Sequence, residues 1–168
     1  MIIHRVIGAF APAWALLVRA LEALQPLAQL AARVYVGRAF FLSGLTKLRD
    51  WDTTLALFAD EYHVPLLPPS VAAVMGTTGE ILLPVLLLLG LGGRFAALGL
   101  SVLNVVAALS LSDIAPAALQ QHVFWGSLLL GLALWGPGAI ALERWEPLRR
   151  LFGATGAAGT NGTSATAA

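Results

Sequence analysis

Hydrophobic residues in this chain form four long runs, at residues 27–47, 71–90, 95–111 and 122–142. A helix needs about 20 mostly apolar residues to cross the roughly 30 Å hydrocarbon core of a bilayer, and each run is close to that length. Helices also satisfy their own backbone hydrogen bonds in lipid. The pattern therefore predicts an all-α membrane protein, a bundle of four transmembrane helices within one domain at residues 27–152.

The first 26 residues show apolar positions three and four residues apart: Ile3, Ile7, Phe10, Trp14, Leu17, Leu21 and Leu24. This spacing predicts a separate amphipathic helix lying in the membrane interface. A signal peptide is the alternative, but Arg19 and Glu22 stand where small residues would precede a cleavage site. We therefore favour the interfacial helix over residues 1–26.

Two further segments lie outside the apolar runs. Between the first and second runs, a common helical face predicts a short amphipathic helix that ends at Pro65 and covers the outer end of the bundle; its members are Trp51, Leu55, Phe58 and Tyr62. Residues 153–168 contain only Gly, Ala, Thr, Ser and Asn. Such a composition cannot build a core, and it predicts a disordered tail.

Basic residues are distributed unequally between the two ends of the predicted bundle. Seven lie on the side of the termini and the 91–94 loop, namely Arg5, Arg19, Arg33, Arg94, Arg144, Arg149 and Arg150. The other side has two, Lys47 and Arg49. Cytoplasmic segments carry the excess of basic residues, so both termini are predicted to be cytoplasmic.

Composition supports lipid as the solvent of this chain. Hydrophobic residues make up 58% of it and charged residues 11%, less than half of the share usual in soluble domains. The net charge of +1 leaves no basic surface for nucleic acid. The chain has no cysteine, which excludes thiol chemistry and Cys-ligated metal centres. His122 has no second ligand at metal-binding spacing on its own helix, and we predict no metal site.

Each predicted span has one face of small and polar residues, which membrane helices use to approach one another. Arg33, Gly37 and Gly44 share such a face in the first span, and Gly126 lies on that of the fourth. For the small residues, simple helix packing is the expected role. For Arg33, we expect the side chain to extend towards the lipid headgroups.

Glu80 stands apart because an ionisable group deep in a span is costly unless it is neutral or paired, and it often marks a function. We predict a polar pocket in the outer half of the bundle, formed by Glu80, Lys47, Asn104 and His122, with Trp125 beside it. Arg38 is a second candidate partner for Glu80. A buried ion pair that only fixes helix packing explains the same residues equally well.

At these residues the sequence resembles the DoxX family of small bacterial four-helix membrane proteins. The resemblance covers residues 27–152 and rests on three groups of positions: Arg33, Gly37, Phe41, Gly44 and Lys47; Gly79 and Glu80; Gly90, Arg94, Phe95, Ala96 and Ala97. It implies a bacterial plasma-membrane protein in which Phe41 and Gly79 join the helix-packing set. Relatives are named as subunits of quinol or thiosulfate:quinone oxidoreductases, or as anchors for oxidative-stress enzymes. Lys47 is thereby favoured over Arg38 as the partner of Glu80.

Three functions remain open from the sequence. The first is an accessory subunit of a quinone-linked oxidoreductase or redox-stress system: His122 or Glu80 would accept a proton, Lys47 or Asn104 would bond a quinone oxygen, and Trp125 or Phe41 would stack on the ring. No redox cofactor is encoded, so catalysis would need a partner enzyme. The second is a non-catalytic anchor or assembly factor, and the third a small transporter or proton path. Association of the chain with itself stays open.

Overall fold

The computed structural model describes residues 2–111, 113–136 and 138–145, with side chains from residue 12 onward. The described residues form five α-helices and one 3₁₀ turn: α1 (Ile2–Arg49), α2 (Trp51–Asp60), α3 (Pro69–Leu89), α4 (Gly93–Ser110), α5 (Pro116–Trp135) and the turn Leu142–Arg144. The predicted all-helical fold is confirmed. The expected disordered tail, residues 153–168, lies outside the described residues.

Three of the described helices, α3, α4 and α5, are long and apolar enough to cross a membrane. The predicted first span lies within α1. It is less apolar than the others because it contains Arg33, Arg38 and Lys47. Length and composition thus establish three candidate spans of the four that we predict.

Pro and Gly set the ends of these helices. Pro69 and Pro116 occupy the first turn of α3 and α5, where a missing backbone N–H costs nothing. At the other ends, Gly90 and Gly136 have φ angles of +67° and +84°, which residues other than glycine rarely adopt. The fourth run was predicted at 122–142, but the helix begins at Pro116 and ends at Trp135, because Gly136 breaks it there.

The separate helix expected over residues 1–26 does not occur as a separate element. α1 continues through Pro12 and Pro26 for 48 residues. Strong helix formers flank Pro26, which lets the helix absorb the lost hydrogen bond at this position. Pro84 likewise lies inside α3 without ending it.

α1 and α3 pack as antiparallel neighbours through glycines of α1. A β-carbon at Gly37 would lie 3.1 Å from Leu88 Cγ, and one at Gly44 would lie 2.8 Å from Ile81 Cδ1. A side chain at either position would displace its neighbour on α3. The glycine face predicted for the first span is therefore the contact surface with α3.

Glycine also shapes the contacts of α4. A β-carbon at Gly79 of α3 would lie 2.7 Å from Leu103 Cδ1. At the next residue of α4, a β-carbon at Gly126 of α5 would lie 3.2 Å from Asn104 Nδ2. The main core lies among α1, α3, α4 and α5, and its fully buried members include Val36, Leu87, Ala96, Ala97, Leu100 and Leu129. Phe41 of the packing set is only partly buried.

α2 follows α1 after the single residue Asp50. The Asp50 carboxylate accepts hydrogen bonds from the backbone N–H and the hydroxyl of Thr53, at 3.0 and 2.7 Å, and so caps α2. Phe58 packs with Ala72 and Ala73 of α3 in a second small core. A helix does lie where the short one was predicted, and it covers the first turns of α3.

Candidate functional site

Lys47 and Glu80 form an ion pair between α1 and α3. Lys47 Nζ lies 2.7 Å from Glu80 Oε2, and the two side chains are 19% and 12% exposed. The same ammonium group donates to Ser43 Oγ, 2.9 Å away and one turn earlier in α1. The pair thus lies largely inside the protein, with both charges compensated.

The depth of this pair follows from how α1 and α2 meet α3. Glu80 is eleven residues after Pro69, or about 16 Å along the helix axis. Lys47 is in the last turn of α1. After α1 the chain continues into α2, which packs against the first turns of α3. Thr54 of α2 joins the two elements, with its hydroxyl 3.0 Å from the Lys47 carbonyl oxygen. The pair therefore lies beneath α2.

Asn104 and His122 form a second polar pair, between α4 and α5. Asn104 Nδ2 donates to the His122 carbonyl oxygen at 2.9 Å, which fixes the orientation of the amide. Asn104 Oδ1 then faces His122 Nδ1, also at 2.9 Å. Because an amide oxygen only accepts hydrogen bonds, Nδ1 must carry the proton. In the neutral ring, Nε2 is left as the acceptor.

The predicted pocket residues are thus joined in two pairs. Within residues 12–111 and 113–136, no hydrogen bond links Lys47 or Glu80 to Asn104 or His122. Trp125 lies beside the second pair, with its ring centroid 5.3 Å from that of His122 and 5.6 Å from that of Phe40. Phe40, one residue before the predicted Phe41, supplies the aromatic contact.

Two cavities flank the contact between α1 and α5. The first has a volume of about 660 Å³, and its lining includes Arg38, Tyr35, Gln121 and Trp125. Gln121 Nε2 donates to Tyr35 Oη at 3.3 Å across its wall. We call this cavity the α1/α5 groove. Two of the predicted site residues, Arg38 and Trp125, therefore meet here, away from Glu80.

Arg38 and Trp125 each present an unused hydrogen-bond donor. Arg38 is exposed and has no hydrogen bond or ion pair with any residue that the structure describes. Trp125 Nε1 is buried and has no hydrogen-bond partner among the residues that the structure describes. Unpaired donors are costly in a lipid environment, and exposed Arg38 is available to a polar ligand in the groove, whereas the buried Trp125 Nε1 is not.

The second cavity, of about 720 Å³, lies nearer the opposite end of α1, and its lining includes Glu22, Gln29, Ser127, Trp135 and Arg144. It mixes charged, amide and apolar side chains. Since it contains none of the predicted site residues, we place no candidate chemistry there.

Arg33 does not extend towards lipid headgroups as we expected. Its side chain is 1% exposed, and Nη2 donates to the Ile140 carbonyl oxygen. Residues 138–143 fold back over it: Glu143 N donates to the Gly90 carbonyl oxygen, and the Glu143 carboxylate accepts from Gly93 N, both at 3.2 Å. The sequence missed this arrangement because the fourth span was expected to run through these residues. The turns at Gly136 and Gly138 were the available signal.

Among the described residues, no three His, Cys, Asp or Glu side chains lie close enough together to hold a metal ion.

Outside the spans, burial raises the pKa of Tyr62, and the nearby carboxylates of Glu61 and Glu80 raise it further. Both effects favour the neutral phenol of Tyr62 over its phenolate.

The bundle of apolar helices and its paired charges define a small membrane protein. The sequence profile of the DoxX family matches residues 28–113, and the chain belongs to that family. The match contains Lys47, Glu80 and Asn104 and ends before α5, so it is shorter than the resemblance we described. His122 and Trp125 lie outside it. Searches of curated proteins and of solved structures gave no match.

Proposed function

We propose that this DoxX-family protein is an accessory subunit of a quinone-linked oxidoreductase or redox-stress system in the bacterial inner membrane. In this proposal, the quinone occupies the α1/α5 groove and the partner enzyme performs the redox chemistry. The observation that carries it is the meeting of Arg38, Trp125 and the Tyr35–Gln121 pair in one cavity along the spans.

The groove offers what a quinone needs. A quinone head has carbonyl oxygens that accept hydrogen bonds and a flat ring that packs against aromatic side chains. Arg38 supplies a free donor, and Trp125 supplies an aromatic surface. Leu27, Leu30 and Val34 line the same groove and provide an apolar surface for an isoprenoid chain.

In this proposal the Lys47–Glu80 pair is a packing element and not the ligand site. Its charges already compensate each other, and Lys47 also bonds Ser43. The side-chain amide of Asn104 likewise forms its hydrogen bonds with His122. Their role would be to hold α1 on α3 and α4 on α5, which keeps the two walls of the groove in place.

Co-purification of quinone tests the proposal. The full chain is purified in mild detergent, and extracted lipid is analysed for quinone per protein chain. Arg38→Gln is compared with Arg49→Gln, which removes the same charge from the exposed last turn of α1. We expect quinone with the wild type and with Arg49→Gln, and a several-fold loss with Arg38→Gln. Absence of quinone from the wild type, or equal amounts in both variants, would contradict it.

We also propose that the C-terminal half of α1 is the first of four spans, with both termini cytoplasmic. The absence of cysteine allows single-cysteine labelling. Asp60→Cys should react with a membrane-impermeant maleimide in intact spheroplasts, whereas Arg144→Cys should react only after lysis; both positions are exposed. Labelling of both before lysis would overturn this topology.

One observation favours the anchor function as a second candidate. Leu66, between α2 and α3, has a φ of +66° and is completely exposed. A large apolar side chain held in this strained conformation suits a contact with another molecule. A photo-crosslinking residue at position 66 should capture one redox enzyme, while the same residue at exposed Asp113 should not. Crosslinks to lipid alone, or equal capture at both positions, would overturn the anchor candidate.

A further inference from the structure

The N-terminal part of α1 carries exposed apolar side chains from residue 12 onward. Residues 12–25 are exposed except for partly buried Val18, and from there onward the first buried residue of α1 is Arg33; Glu22 and Gln25 line the second cavity beside α5. The stretch from Ile2 to Gln25 corresponds to about 36 Å of helix. Trp14, Leu17, Leu21 and Leu24 are each about half exposed. We call these four residues the apolar stripe.

The apolar stripe faces away from the bundle. With about 100° of rotation per residue, the stripe lies within roughly 80° of the direction opposite to Arg33, whose side faces α3. Arg19 and Glu22 lie within about 40° of the direction of Arg33 on the same scale. The polar side of this segment thus continues the buried side of α1, and the apolar side continues its lipid-facing side.

This arrangement determines how the segment can meet a membrane. If α1 bends outward where it leaves the bundle, its lipid-facing side turns towards the membrane surface. If it bends under the bundle, the stripe turns towards water and Arg19 and Glu22 face the bundle. Burial of apolar area favours the outward bend.

Pro26 marks the place for such a bend. It lies inside α1, between the exposed residues 12–25 and the packed part of the helix, and it has no backbone N–H to donate to the Glu22 carbonyl oxygen. The helix therefore lacks one hydrogen bond at the boundary between its exposed and packed parts. Bends in helices concentrate at such positions.

We propose that residues 2–25 of α1 bend outward at Pro26 and lie on the inner leaflet of the membrane, with the apolar stripe in the lipid. Trp14 suits the boundary between headgroups and acyl chains, and Arg19 meets anionic headgroups from the opposite side. Pairing with a second copy is less favoured: the stripe has coiled-coil spacing, but the flanking Val18, Ala20 and Gln25 provide no complementary charges.

Spin-label accessibility in nanodiscs of phosphatidylcholine and phosphatidylglycerol tests this proposal on the full chain. Leu17→Cys, Leu21→Cys and Leu24→Cys place labels on the stripe, and Glu22→Cys is the matched control on the other side. We expect the ratio of oxygen to nickel-complex accessibility to be several-fold higher at Leu21 than at Glu22. Labels at Leu17 and Leu24 should lie at equal depth, although they are about 10 Å apart along the helix.

Every other pattern overturns the proposal. High nickel-complex accessibility at all four positions means that the segment projects into water. Protection of Leu21 from both reagents, with a label-to-label distance between copies short enough to measure, means a coiled-coil dimer. Depth that changes steadily from Leu17 to Leu24 means a helix crossing the bilayer. None of these variants alters the α1/α5 groove, so quinone co-purification separately reports on the proposed function.

Discussion

Lys47 Nζ and Glu80 Oε2 lie 2.7 Å apart where α1 meets α3, beneath α2. Loss of either partner leaves the other charge unpaired in a largely buried position. For buried pairs this costs about 3–5 kcal/mol, and the residual exposure of both side chains places our expectation near the lower value. We predict that Lys47→Met and Glu80→Gln each lower the free energy of unfolding in detergent by about 3 kcal/mol.

The double variant Lys47→Met/Glu80→Gln should lose less unfolding free energy than the two single variants lose together, since no charge is left unpaired. Arg49→Met serves as the control for loss of a cation from the same helix end. Additive losses in the double variant would show that the two groups do not stabilise each other.

Gly44 and Gly76 allow a matched test of helix packing. A β-carbon at Gly44 would meet Ile81 at 2.8 Å, whereas one at Gly76 would meet Phe58 at an ordinary 3.5 Å. Gly44→Ala should lower the unfolding free energy by about 1–3 kcal/mol, as overpacking does. Gly76→Ala should be neutral or stabilising because alanine favours helix by about 1 kcal/mol. Equal effects of the two substitutions on thermal unfolding would refute the close contact of α1 with α3.

His122 should carry its ring proton on Nδ1 when neutral, because Nδ1 faces the oxygen of the Asn104 amide. ¹⁵N NMR distinguishes the two neutral forms by the shifts of the ring nitrogens. The chain has three histidines, so His4→Gln/His63→Gln leaves His122 as the single signal. Asn104→Leu should abolish the preference, and a proton on Nε2 in the wild type would contradict the geometry.

Asp50 makes the start of α2 sensitive to acid. Hydrogen bonds from the hydroxyl and backbone N–H of Thr53 lower the pKa of its carboxyl group. A lowered pKa in the folded state contributes stability above the ordinary pKa of about 3.9. That contribution disappears as the pH falls through the lower folded value. Thr53→Ala should raise the Asp50 pKa measured by ¹³C NMR, while exposed Asp52 provides the internal reference.

The sequence predicted well what depends on local pattern. Apolar runs bounded by proline and glycine located α3 and α4 to within two residues at each end. Helical periodicity also placed Glu80 and Lys47 on faces that the structure brings together. In both cases the relevant information lies within one helix.

Relationships between distant elements were harder to predict. A helical face does not say which neighbour it contacts, so one expected pocket became the separate pairs Lys47–Glu80 and Asn104–His122. Burial of Arg33 depends on residues 138–143, more than 100 positions away. The apolar spacing predicted a separate helix over residues 1–26, but α1 continues through Pro26, because membrane helices commonly tolerate proline.

Photolabelling with an azido-quinone tests the central proposal, a quinone in the α1/α5 groove, most directly. The labelled full chain is digested in detergent, and the modified peptides are identified by mass spectrometry. We predict that label concentrates on the two groove walls, residues 27–39 and 121–125, and that excess unlabelled quinone competes with it. Label spread evenly over the lipid-facing helices, or label that quinone does not displace, would contradict the proposal.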